Sequence, residues 1–310
     1  MASGAKYSGK NGVNGHGRLA GQVSESRLNY VWIPFMPISR NIATRWSSLL
    51  VLSVTLILVG SGPSVGSPPA NNCAAGLGLS PIGLGEPLQG ELDILSWNIQ
   101  KASNAGWAED LAEIAGGVQL AFIQEASLQA QIPQAINTPL VQAFAAGYTT
   151  TSQDTGVMTL STSNPSLHCN LTAWEPWLGT PKATSITEYP LLDRDDRLLT
   201  INLHAVNFTL GLENFQQQFG ALSDLLQQHK GPVILAGDLN TWSDKRQSVV
   251  DQFMQRHGLG PVAFEPDLRT TAFGRALDHI YVRGMHATLA RVIPVSSSDH
   301  NPLRVRLTLQ

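Results

Sequence analysis

The chain is poor in cysteine, in charge and in long apolar runs. Its two cysteines in 310 residues, Cys73 and Cys169, cannot by themselves build a disulfide framework or a structural zinc site. They can pair with each other in an oxidising compartment. Charged residues are only 14% and apolar residues 43%, which excludes a coiled coil, a collagen and a mainly disordered chain. The longest apolar run, Trp46–Gly60 (WSSLLVLSVTLILVG), falls short of the ~20 residues that span a bilayer comfortably. Aromatic residues are 7% and are not interleaved with Lys and Arg, as a single-strand nucleic-acid binder would have them. There is no internal repeat, and no HExxH to make a zinc hydrolase.

The net charge of -3 is unevenly spread. Residues 1–45 hold six bases (Lys6, Lys10, Arg18, Arg27, Arg40, Arg45) against the single acid Glu25, which leaves 14 bases and 22 acids for the rest. An acidic body argues against a tight, non-specific clamp on duplex DNA, where phosphate contacts dominate affinity.

Residues 1–45 read as a disordered basic lead, rich in Gly, Ser and Asn. Arg40 and Arg45 precede the uncharged run 46–60, as in a signal peptide or a membrane anchor, and Met36 is an alternative start to Met1. Residues 61–89 form a Gly/Pro/Ser-rich linker. The positive-inside tendency then puts residues 90–310 outside the cytoplasm, exported or anchored to the membrane.

From residue 90 onward short apolar runs alternate with amphipathic stretches. Strands are predicted at 92–97, 120–123, 157–160, 198–203, 233–235, 278–282, 290–294 and 303–307, and helices at 108–115, 213–228 and 249–256. One α/β domain over 90–310, most simply a monomer, is the reading. Asn98, Glu125, His204, Asp238, Asn240, Asp278 and the pair Asp299–His300 each end or follow an apolar run. Strand ends are where α/β folds build their sites.

These residue types suit phosphoester hydrolysis. Glu125 and Asp299 are hard ligands for a divalent cation such as Mg. Asp238 can take a proton from water, Asn240 can donate to a phosphoryl oxygen, and His204 and His300 can donate to others. Asp278 can hold one imidazole, and Asn98 can bind a metal through its carbonyl or fix Glu125 by its amide. Lys182, Arg275 and Trp242 are candidate substrate contacts.

The motifs Ser96–Asn98 (SWN), Ile123–Glu125 (IQE), His204–Asn207 (HAVN), Gly237–Asn240 (GDLN), Leu277–Ile280 (LDHI) and Ser298–Pro302 (SDHNP) resemble, in order and spacing, those of the endonuclease/exonuclease/phosphatase superfamily. The wider stretches 156–161, 202–208, 231–243 and 272–278 are similar to bacterial YafD-like proteins. The resemblance implies a four-layered, DNase I-like α/β sandwich and a Mg- or Mn-dependent phosphoester hydrolase. It implies Glu125 as principal metal ligand with Asn98 and Asp299 nearby, and Asp238 as the base. Asn240 and His300 would stabilise the transition state, Asp278 would orient His300, and His204 and Asn207 would touch the scissile phosphate. One departure stands out: Gln100 occupies a position where DNA-repair members often carry an acid. Three function classes follow. They are a phosphodiesterase or nuclease, a phosphatase or phospholipase-type hydrolase acting on lipid or small phosphoesters, and a binding module with a decayed site. An exposed loop at 174–178 would favour lipid.

Overall fold

The computed structural model describes residues 73–79, 86–176, 178–209 and 211–310. The basic lead, the apolar run 46–60 and the first part of the linker lie outside the described residues. Among those described, no helix is long and apolar enough to cross a membrane.

The elements follow in the order β1 (Glu91–Asn98), α1 (Trp107–Ile114), β2 (Leu120–Ser127), β3 (Val141–Thr149), β4 (Asp154–Ser161), β5 (Leu167–Glu175), β6 (Thr180–Pro190) and β7 (Arg197–His204). Then come α2 (Glu213–Gly220), α3 (Ser223–Gln228), β8 (Val233–Asp238), α4 (Asp244–Arg256), β9 (Gly260–Pro261), β10 (Thr271–Ala272), β11 (Arg275–Ala276), β12 (Asp278–Arg283), β13 (Met285–Val292) and β14 (Leu303–Leu309). One six-stranded sheet has the order β13-β14-β1-β2-β4-β3, the other β5-β6-β7-β8-β12-β9, and β10-β11 is a small separate hairpin.

The central strands read as continuous apolar runs because both of their faces are covered. In β1, Leu92 and Ile94 face one core while Leu95 and Trp97 face another, the period of two that a pleated strand imposes. In β8, Ile234 and Ala236 join the first core while Val233 and Leu235 turn the other way. The shared core lies between the sheets. Outside it, α1 packs Leu111 and Ile114 on the β1–β2 face, and α2 to α4 pack Phe215, Phe219, Leu225, Val250 and Phe253 on the β7–β8 face. Helix, sheet, sheet, helix make four layers.

Six strands were not anticipated, the two-residue β9, β10 and β11 and three longer ones. The outermost β3 and β5 expose alternate residues, and β6 buries mainly Thr and Ser beside Ala183, Ile186 and Tyr189. The helix expected over 213–228 is broken: at Leu222 the amide bonds Phe219, three residues back, and α3 restarts at Ser223. The helix expected from Val249 starts earlier, where the Ser243 hydroxyl caps α4 by accepting the Arg246 amide at 3.4 Å.

The linker expectation also needs revising. Cys73–Gly76 forms a 3-10 turn, Cys73 is disulfide-bonded to Cys169 on β5, and the Gly78 amide donates to the Glu188 carboxylate at 3.1 Å. The folded body thus begins before residue 90. The bridge closes a loop across a sequence separation of 96 residues, so it restricts the unfolded chain strongly. Replacing both cysteines by alanine is expected to lower the unfolding free energy by about 2–4 kcal/mol. Urea denaturation checks this, and an unchanged midpoint would contradict it.

Candidate active site at the strand ends

In each sheet a parallel pair joined by a helical crossover delivers its carboxyl ends to the same end of the sandwich. On one side Asn98 pairs with Gln124 in the β1–β2 register, and on the other His204 lies opposite Asp238. The first residue of β12, Asp278, also lies opposite Asp238. The two sheets meet where Asn98 Nδ2 donates to Asp238 Oδ2 at 3.1 Å.

Local backbone features aim the side chains. Gly237 has φ 148°, and a Cβ there would run into the Leu203 carbonyl, which explains the glycine of GDLN. Asn240 has φ 49°, a conformation asparagine tolerates, and its amide closes a turn on Asp238 Oδ1 at 3.0 Å. A bulge in the β2–β4 pairing between Ile123 and Ala126 leaves Glu125 at φ 48° and turns its carboxylate out of the ladder. The SDHNP loop is tied to β1 twice: Ser298 Oγ donates to the Asn98 carbonyl at 2.7 Å, and Trp97 Nε1 donates to the His300 carbonyl at 2.9 Å.

Asp238 is almost fully buried, and that burial pushes its carboxyl up to about 6. His300 offsets the effect while Asp278 adds to it. Burial alone would lower the His300 imidazole. The Asp278 carboxylate, 2.7 Å from Nδ1, outweighs it together with Asp238 and Asp299 and lifts the ring to about 10. His300 is therefore an imidazolium at neutral pH, with Nε2 3.9 Å from Asp238 Oδ2. His204 is the opposite case. Burial first, then Lys182, lower it well below its ordinary value. An ammonium can only donate, so Lys182 Nζ, 3.1 Å from His204 Nε2, makes that nitrogen an acceptor. Lys182, not His204, is then the donor on this wall.

A cavity of about 560 Å³ opens here, and Asn98, Glu125, His204, Asn207, Asp238, Asn240, Asp299, His300 and Lys182 all line it. Asp278 stands behind His300. Trp242 acts through a neighbour, its Nε1 donating to Asn207 Oδ1 at 2.9 Å. Arg275 does not line the cavity: the β10–β11 hairpin carries it to an ion pair with Asp244, beside a separate surface depression. Gln100 turns its side chain to Asn104, accepting from Nδ2 at 2.6 Å.

The donor set suits a hard cation. Glu125, Asp299 and the Asn98 side-chain Oδ1, which also accepts the Gln100 amide at 3.1 Å, offer oxygens only. The Lys101 ammonium rests 2.7 Å from Glu125 Oε2, so a positive charge already sits against that carboxylate. Asp238, Asp278 and His300 also bring three ligand-type atoms within 4.8 Å of one another, though His300 Nδ1 is committed to Asp278.

Four organising residues carried no readable signal. Lys101 reaches Glu125 only because Gln100, Lys101 and Ala102 all take positive φ. Glu175 is buried and accepts the amides of Asn207 and Phe208 and the Thr180 hydroxyl. Gln218 bonds the His204 carbonyl and the Val206 amide. Arg246, fully buried between Phe215 and Trp242, donates to the carbonyls of Val206, Asn207 and Asn240 at 2.7–3.0 Å. Burial lowers its guanidinium to about 10, still charged at neutral pH.

A profile of the endonuclease/exonuclease/phosphatase family matches residues 95–300, a span that contains every one of these strand ends. The chain belongs to the endonuclease/exonuclease/phosphatase family. Within it, the chain is 41% identical over 227 residues to the UPF0294 protein VV2535 of Vibrio vulnificus, covering 71% of this chain and 78% of that one. A UPF0294 protein of Yersinia pestis is 40% identical over 227 residues, covering 72% and 86%. The fold is shared with a mannosyl-6-phosphatase of Bacteroides thetaiotaomicron (TM-score 0.53, 18% identity, 70% of this chain and 100% of that one). It is also shared with TDP2 of C. elegans (TM-score 0.52, 17% identity, 73% and 78%). The family includes metal-dependent phosphoesterases and nucleases.

His279 of LDHI supports this endonuclease/exonuclease/phosphatase site from behind. Its Nε2 meets Thr241 Oγ1 at 2.7 Å and its Nδ1 accepts from Arg269 at 3.2 Å. Burial first, then Arg269, lower the ring from 6.5 to about 4. Between those values the unfolded chain binds a proton that the folded chain refuses, so stability falls as pH drops through the window. The loss is on the order of 3 kcal/mol. Denaturation at about pH 7 and about pH 5 should show a shallower loss for His279→Gln than for the wild type; equal losses would contradict it.

Proposed function

We propose that the chain hydrolyses phosphoesters with Asp238 as the general base. Asp238 takes a proton from water, the resulting hydroxide attacks phosphorus in line, and the ester oxygen opposite departs. The observation that supports this reading is the position of one buried carboxylate, Asp238, 3.9 Å from Nε2 of an imidazolium, His300, on the wall of one cavity. A base with a carboxyl near 6 is mostly ionised at neutral pH yet close enough to that range to accept a proton well.

The other residues divide the remaining work. Asn98 orients Asp238 through its amide. His300 Nε2 and Lys182 Nζ donate to the phosphoryl oxygens as charge develops on them, with Asp278 holding the imidazolium in place. Asn240 spends one amide hydrogen on the Ala205 carbonyl at 3.0 Å and keeps the other for the substrate. Asn207, fixed by Trp242, Glu175 and Arg246, lines the same wall. Glu125, with Asn98 and Asp299, would hold Mg or Mn, which when bound supplies positive charge for the phosphate and the departing oxygen. The disulfide of Cys73 with Cys169 supports placing this domain outside the cytoplasm, as the basic and apolar lead of the sequence suggests.

Purified protein assayed on bis-p-nitrophenyl phosphate tests the assignment. Turnover is expected to vanish with EDTA and return with Mg or Mn. Asp238→Asn is expected to cost about 100- to 10,000-fold in kcat, and Glu125→Ala a comparable factor, with the fold intact by circular dichroism. Near-wild-type turnover in either variant, or turnover indifferent to EDTA, would overturn it.

A further inference from the structure

The cavity has a polar floor but an apolar rim. Tyr148 at the end of β3, Leu178 in the β5–β6 turn and Phe208 after β7 all line its mouth and are each about half exposed. Phe273, at the tip of the β10–β11 hairpin, is 89% exposed and packs edge-on to Trp242 with ring centroids 6.0 Å apart. Trp242 in turn bonds Asn207 on the cavity wall. Four of the nine large apolar side chains exposed among the described residues thus stand at this one end, on segments drawn from both sheets and the hairpin. Phe273 also sits at φ 51°, a backbone state that a bulky residue adopts at a cost, while its ring stays largely in solvent apart from the Trp242 contact.

We propose that this rim docks on the headgroup layer of a zwitterionic phospholipid bilayer, and that the substrate is a phosphoester carried by an amphiphile in that layer. The proposal rests on the hydrolase reading above and narrows its substrate. Aromatic and aliphatic side chains around a polar pocket suit an interface that is wet on one side and apolar on the other. A nucleic-acid track would need cations along a path. Among the described residues the cavity is lined by two long cations, Lys101 and Lys182, set against Glu125 and His204 inside the pocket and not strung along a path. The excess of acids over bases beyond residue 45 disfavours an anionic surface as well, which leaves a zwitterionic one.

The attachment of the leading chain allows this orientation. Cys73 is bridged to Cys169, six residues along β5 from Glu175 at the mouth, a separation of roughly 20 Å at strand rise. The twelve residues 61–72 between the apolar run and Cys73 can extend at most roughly 40 Å. A chain held by residues 46–60 can therefore still present its mouth to the same membrane.

The test labels single introduced cysteines in the full chain with an environment-sensitive fluorophore. Leu178→Cys and Phe273→Cys report the rim, and Leu192→Cys, exposed beyond β6 at the opposite end of the sandwich, is the control. The probe is a vesicle of phosphatidylcholine brominated high on its acyl chains, since interfacial groups sink only roughly 5–10 Å. Metal is chelated throughout, so the result does not depend on turnover, and a failed hydrolase and a failed docking surface are told apart. Expected is a blue shift and loss of emission at 178 and 273 with neither at 192. No quenching at 178 and 273, or equal quenching at 192, would overturn the proposal. So would labels that respond to a single-stranded oligonucleotide but not to vesicles, the mark of a base-stacking rim.

Discussion

One buried carboxylate organises the working end of this molecule. Asp238 ends a central strand, β8, with both flanking strands presenting a functional residue opposite it, His204 on β7 and Asp278 on β12. The facing sheet reaches it through Asn98. A carboxylate taken out of water in this way is costly unless its oxygens are hydrogen-bonded and a compensating charge lies near. The Asn240 amide and the Asn98 side chain supply the bonds, and the His300 imidazolium supplies the charge. Removing any one of these partners changes both how well the site holds together and the proton affinity of Asp238.

The same logic extends outward. His300 stays charged because Asp278 grips its Nδ1. Asp278 is held by the start of β12, and β12 is braced by His279 against Arg269 and Thr241. On the opposite wall Arg246 replaces the missing ladder of an irregular segment, satisfying the carbonyls of Val206, Asn207 and Asn240 that would otherwise be buried without donors. Loop residues at the site are thus rigid by hydrogen bonding, while the rim above them carries apolar side chains with no such ties.

Much of this was legible in the amino-acid sequence, and the reason is physical. Strands β1, β2, β7 and β8 are buried on both faces, so they stand out as apolar runs, and each delivers a polar residue to the site at or near its carboxyl end. Asn98, Glu125, His204 and Asp238 were picked out by that position, whereas His300 lies in the SDHNP loop before β14. Strands β3, β5 and β6 were hidden because edge exposure and Thr-rich burial leave them without a continuous apolar run. Lys101, Glu175, Gln218 and Arg246 were hidden because their roles depend on approaches across the fold: Arg246 is one more basic residue on an amphipathic helix until Val206, Asn207 and Asn240 are folded against it. Arg275 shows the converse, since closeness in sequence to Asp278 did not bring it into the cavity once Asp244 was available as a partner.

The most direct test of this electrostatic account is an NMR titration of the His300 imidazole nitrogens in metal-free protein. If Asp278 and Asp238 hold the ring as described, it remains an imidazolium well above neutral pH and titrates near 10, and Asp278→Asn brings it down toward the ordinary histidine range. A ring that titrates near 6.5 in the wild type, or that does not respond to Asp278→Asn, would contradict the account at its centre.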